Sequence, residues 1–131
     1  MKWGAWPPLV LSLLSLLSLA ACASALAEGE SQFKKGRYPE AKQTFAALEE
    51  ESARYDDSKR AEYALYRGLT LGALGDRAQS GVWLREAKAL EAAHPGSLST
   101  EDLRRMKAAI DAEATDALDG PDKPQTSPNG S

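Results

Sequence analysis

Residues 29–45 read Gly29-Glu30-Ser31-Gln32-Phe33-Lys34-Lys35-Gly36-Arg37-Tyr38-Pro39-Glu40-Ala41-Lys42-Gln43-Thr44-Phe45. Counted from Gly29, small residues stand at steps 0, 7 and 12 and a bulky apolar residue at step 16. Residues 68–84 carry Gly68, Gly75, Ser80 and Leu84 at the same four steps. A glycine or alanine lets two antiparallel backbones approach, and the bulky residue fills the gap beside them. Gly36 and Gly75 suit helix ends, and Pro39 suits a first helical turn, where its missing N–H costs nothing. Each stretch therefore reads as a helix, a short turn and a second helix folded back on the first.

Working outward, the apolar spacing supplies the remaining elements. Leu26, Gly29 and Phe33 stripe a first helix that ends at Gly36. Tyr38, Ala41, Phe45 and Leu48 recur at three- and four-residue steps and predict a helix from about Pro39 to Tyr55. Asp56-Asp57-Ser58 can cap the next, whose stripe is Ala61, Ala64, Leu65, Gly68, Leu71 and Gly72. Ala78, Leu84, Ala87 and Leu90 stripe a fourth helix that stops near His94-Pro95-Gly96. Ser99 or Thr100 opens a fifth, with Glu101 and Asp102 in its first turn and Leu103, Met106, Ile110, Ala114 and Ala117 on one face. Asp119 to Ser131 holds five Gly or Pro and no large apolar group, which predicts a disordered tail.

Composition agrees with an all-α reading. Of 131 residues, 23 are Ala, while Val and Ile together number three, so the chain lacks the β-branched residues that pack sheet faces. The expected architecture is antiparallel helical hairpins, about two repeats, with Thr100 to Leu118 as a C-terminal capping helix.

The spacing of small and bulky residues resembles the tetratricopeptide repeat, with Gly36-Arg37-Tyr38-Pro39-Glu40-Ala41 the strongest local match. The two registers stand 39 residues apart, against a period of about 34 in that family. A five-residue extension at Glu49 to Ala53, or the Asp56 bridge, accounts for the difference. An unrelated small helical bundle is the competing reading. The resemblance covers about residues 24–94, and it implies a groove lined by the first helix of each repeat. Carried over by register, the groove positions are Glu30, Phe33 and Lys34, then Glu62, Leu65 and Leu69, with Arg67 nearby. Such a groove takes an extended or helical peptide, which implies a protein partner.

The amino terminus carries a cellular address. Lys2 precedes an eleven-residue apolar stretch, Leu9 to Leu19, and then small residues up to Cys22, the pattern of an export signal. Leu19-Ala20-Ala21-Cys22 resembles the lipobox of bacterial lipoproteins. The resemblance implies cleavage after residue 21, lipid attachment at Cys22 through palmitate-class acyl chains, and a mature domain at 22–118. Ala23 and Ser24, by the sorting rule of Gram-negative lipoproteins, imply the outer membrane, facing the periplasm. A plain signal-peptidase cut near Cys22, or an uncleaved membrane helix over Leu9 to Ala27, are the alternatives. Two or more acyl chains anchor stably where one does not.

Chemistry is scarce. A lone Cys and a lone His make a zinc site or a disulfide framework a poor fit. His94, at a helix end before Pro95, is read as a partner for terminal carbonyls rather than a base. Glu49, Glu50 and Glu51 fan around a helix and do not converge. The glycines at 68, 72 and 75 precede no Gly-Lys-Ser/Thr, so they make no phosphate loop. Trp83 and Tyr66 read as core or interface-seam residues, with a peptide-binding anchor the alternative. Beyond Cys22 the chain carries 15 basic and 19 acidic residues, net −4, which argues against nucleic acid. The expectation is no catalysis, no cofactor and no metal. The expected role is a membrane-anchored protein-binding scaffold or assembly factor of the bacterial envelope. The alternatives are a lipoprotein that self-associates through helix faces and a non-catalytic subunit of an envelope enzyme.

Overall fold

The computed structural model describes residues 25–120. The export segment 1–21, Cys22 and residues 121–131 of the expected tail lie outside them. Six helices follow one another: α1 (25–34), α2 (Tyr38–Ala47), α3 (Glu49–Ser52), α4 (Asp57–Ala73), α5 (Arg77–Ala93) and α6 (Thr100–Leu118). The fold is all-α, with no strand among the described residues.

Both hairpins close by the same hydrogen bonds. The Arg37 N–H donates to the Gln32 carbonyl at 2.9 Å and Gly36 N–H to Phe33; 39 residues on, Asp76 donates to Leu71 at 3.0 Å and Gly75 to Gly72. Gly36 and Gly75 sit at φ 76° and 84°, a left-handed conformation that glycine adopts without the strain a Cβ brings. Each turn therefore reverses the chain in three residues and lays α2 on α1 and α5 on α4.

The close approaches fall where the small residues stand. A methyl built on Gly29 would lie 2.7 Å from the Phe45 ring, and one on Gly68 would lie 3.0 Å from Leu84 Cγ. Phe45, Ala41, Leu84 and Ser80 are all buried. Burying a Phe or Leu is worth about 2–3 kcal/mol. In the second hairpin the Ser80 hydroxyl donates to the Gly68 carbonyl at 2.8 Å, which satisfies a buried polar group at the contact itself.

α4 is the central helix. Tyr66 faces one side, where Phe33 of α1 meets its ring edge-on at 5.6 Å and Asp102 and Arg105 of α6 meet its hydroxyl. Tyr63 faces the other, edge-on to Phe45 of α2 and to Trp83 of α5. Leu26, Leu48, Ala61, Ala64, Leu65, Ala87, Leu98 and Met106 complete the core.

The single helix expected from Pro39 to Tyr55 is instead two, broken at Leu48. The Tyr63 hydroxyl donates to the Phe45 carbonyl at 2.9 Å, the acceptor that a continuous helix would offer to the Glu49 N–H. The Leu48 N–H turns to Phe45 in a tighter bond, and Ser52 N–H resumes the ladder at Leu48. The extra turn α3 lies at the extension expected over Glu49 to Ala53. Helix starts follow the side-chain caps: Asp56 accepts from Lys59 N–H, Asp76 from Gln79 and Ser99 from Asp102. Ala78, Ala114 and Ala117, read from spacing as inward-facing, are exposed, because α5 turns Ser80 and Gly81 inward and the last turns of α6 run past the core.

Candidate functional site

The side of the molecule formed by α1, α4 and α6 gathers Glu30, Lys34, Glu62, Asp102 and Arg105 in shared surroundings. Glu30 and Lys34 lie one helical turn apart on α1, with Lys34 Nζ 3.9 Å from Glu30 Oε2 and 5.5 Å from the centre of the Tyr66 ring. Phe33, between them, packs on Tyr38 and Tyr66. Glu62 stands one turn before Tyr66 on α4. A recess of about 430 Å³ between α1 and α4 is lined by Leu26, Ala27, Glu30, Asp56, Ser58, Lys59 and Glu62. On the α6 edge the Tyr66 hydroxyl donates to Asp102 Oδ1 at 2.7 Å and accepts from Arg105 at 3.1 Å. Arg105 also pairs with Glu101.

Acids outnumber their partners at this seam. Burial pushes the Glu30 carboxyl up to about 7, and the Glu62 carboxylate adds to the shift while Lys34 opposes it. Glu62 is raised as well, by burial first and then by Asp102 and Asp56. Burial, reinforced by the bond to Asp102 and its charge, raises the Tyr66 phenol.

The expected groove residues separate into three places. Glu30, Phe33, Lys34 and Glu62 come together around Tyr66. Leu65 is fully buried in the core and Leu69 is half-buried, lining a shallow hollow with Leu84, Ala109 and Ala112. Arg67 is on the other side of α4, its guanidinium 4.3 Å from the Trp83 ring centre, donating to the Tyr63 hydroxyl and paired with Glu49 at 3.1 Å. Spacing alone placed Arg67 next to groove positions, whereas a two-residue step on a helix turns a side chain some 200° away.

The sequence reading leaves out Tyr63 and Arg105 and takes Asp102 only as a first-turn acid of its helix. Tyr63 carries a sequence signal, an aromatic three residues before Tyr66 and so on an adjoining stripe. Asp102 and Arg105 meet Tyr66 through α6, at sequence separations of 36 and 39 residues, and no local pattern foretells that pairing. His94 faces Asp57 at 3.2 Å rather than the α5 carbonyls. No group of three or more His, Cys, Asp or Glu able to hold a metal ion occurs among the described residues. None of their helices is long and apolar enough to cross a membrane.

Comparison of the chain with family models, with curated proteins and with solved structures returned no match.

Proposed function

We propose that this chain is a lipid-anchored protein-binding adaptor of the bacterial envelope, built on tetratricopeptide-like hairpins and acting as a scaffold or assembly factor. The observation that carries the reading is the shared hairpin register, Gly29 on Phe45 and Gly68 on Leu84, which sets α1, α4 and α6 along one side. That side offers a recess with an apolar edge at Leu26 and Ala27 and mixed charges at Glu30, Asp56, Lys59 and Glu62, with Lys34 beside Glu30, surroundings suited to a peptide segment. Acyl chains on Cys22, at the outer membrane's periplasmic face, would hold this side near the membrane and raise the local concentration of whatever it binds. Its chemistry would be recognition, with no reaction, cofactor or metal.

The test places a photo-crosslinking amino acid at Lys34, beside Glu30 of the recess wall, or at Lys107, on the outer surface of α6, in the full chain expressed in bacteria. Adducts to one distinct protein from position 34 and not from 107, with Cys22→Ser releasing the chain from membranes, are the expected results. A homodimer adduct from position 34 would replace the reading with self-association. A membrane fraction unchanged by Cys22→Ser would remove the anchor.

A further inference from the structure

The seam between α1 and its neighbours is built differently on its two sides. Against α2, α1 is held by apolar and neutral contacts: Gly29 on the Phe45 ring, Phe33 on Tyr38, and the Thr44 hydroxyl donating to Gln32 Oε1 at 2.7 Å. Against α4 and α6, beyond Leu26, the Phe33–Tyr66 ring pair and Lys34 over the Tyr66 ring, it presents Glu30 to other acids.

The groups facing Glu30 are Lys34 on its own helix, Glu62 on α4, and Asp102 and Arg105 on α6. Those facing Glu62 include Asp102, Asp56, Lys34 and Lys59. Four carboxylates from three helices and the α4 cap thus meet three cations, two of which are engaged elsewhere. Arg105 is spent on Glu101 and the Tyr66 hydroxyl, and Lys59 lies over the Tyr55 ring at 4.5 Å. Asp102 is fixed as an acceptor by the Tyr66 and Ser99 hydroxyls. The Glu30 side chain is one-fifth exposed and borders an open recess, so protons reach it directly from water.

We propose that the α1–α4 seam is a proton-controlled latch: α1 docks firmly while Glu30 and Glu62 hold a proton between them, and loosens when both are ionised. The inference rests on the described helices and not on the adaptor reading. Its sign follows from linkage. A carboxyl whose folded value lies above its ordinary value stabilises the docked state below that ordinary value, and the contribution is lost as pH rises through the folded value. For Glu30 the window runs from 4.5 to about 7. The opening would be local, because α1 is joined to the rest by a three-residue turn and α5 is packed independently on α4.

Hydrogen–deuterium exchange of the full chain in detergent micelles tests it, read on peptides covering residues 25–35 and, as control, residues 78–93. After correction for intrinsic rates, protection of the α1 peptide should fall about tenfold between pH 6 and pH 8, with the α5 peptide unchanged. Glu30→Gln, which imitates the protonated acid, should hold α1 at its low-pH protection throughout, and Glu62→Gln, which removes a neighbouring charge but not the burial of Glu30, should lessen the fall. A flat wild-type profile overturns the latch, and so does a fall that persists undiminished in the variants. If a variant loses its helical circular dichroism, the other variant and the wild-type profile still decide.

Discussion

Gly29 and Gly68 are helix-interior glycines, and each gives up about 1 kcal/mol of helix propensity relative to alanine. What they allow is the approach of a neighbour that a methyl would displace. At Gly29 the neighbour is the Phe45 ring at 2.7–2.8 Å, fully buried and unable to withdraw; at Gly68 it is Leu84, including its backbone nitrogen at 3.1 Å. Gly81 differs, since its added methyl meets the ends of Arg85 and Glu113 at 3.2 and 3.4 Å, both long and adjustable. Gly29→Ala and Gly68→Ala should therefore each destabilise by about 1–3 kcal/mol, the cost of overpacking a filled core. Gly81→Ala should be neutral or stabilising by up to about 1 kcal/mol. Urea unfolding of the three variants measures this, and equal losses at all three would mean that hairpin contact is not what the glycines serve. These glycines were legible in the sequence because small and bulky residues recur at fixed steps. The stripe position of Tyr63 was legible too, but its bond was not, since the acceptor is a carbonyl eighteen residues earlier.

Among the elements, the loop from α5 to α6 shows how a connection with one buried apolar side chain, Leu98, is held. Glu91, in the last turn of α5, accepts the Gly96 N–H on Oε1 and the Leu98 N–H on Oε2, both at 2.8 Å. These bonds lower the Glu91 carboxyl below its ordinary value, the Gly96 bond most. They also seat Leu98 in the core and bring Ser99 to its capping position. Because the shift is downward, the stabilisation is present above the ordinary glutamate value and is lost as pH falls through the lowered one. Amide exchange at Gly96 and Leu98 should therefore accelerate in acid, relative to intrinsic rates, and in Glu91→Gln should be fast at every pH. An unchanged rate in that variant would show that the turn holds itself. Helix existence and caps were readable from the sequence because they are local: Asp56 and Ser99 each stand just ahead of an apolar stripe, where a capping side chain belongs. The break at Leu48 was not, because its cause is a tyrosine on another helix.

At the scale of the whole molecule, the hairpin contact does not recur a third time among the described residues. The hairpin contact residue is Gly29, then Gly68, and the next position at the same spacing of 39 is Lys107. The step that brings Phe45 and Leu84 would next bring Lys123. Lys107 is largely exposed and pairs with Asp111 at 2.6 Å, so α6 offers a charged surface where a further helix would need a glycine. Its inward side carries Leu103, Met106, Ala109 and Ile110 onto the core that holds Tyr66, Leu84 and Leu98. α6 therefore acts as a lid on the second hairpin and not as the start of a third. A chain ending after Ser99 would uncover the Tyr66 side and leave the buried phenol without Asp102, a loss of packing and of a buried hydrogen bond together. Its thermal transition, followed by circular dichroism at 222 nm, should broaden and fall well below that of the full chain, with more helix lost than the 19 residues of α6. Lys107→Ala, which removes an exposed i,i+4 pair, should change stability by less than about 0.5 kcal/mol. A shortened chain that melts as sharply and at the same temperature as the full one would make α6 an appendage, and the recess between α1 and α4 would then have to stand without it.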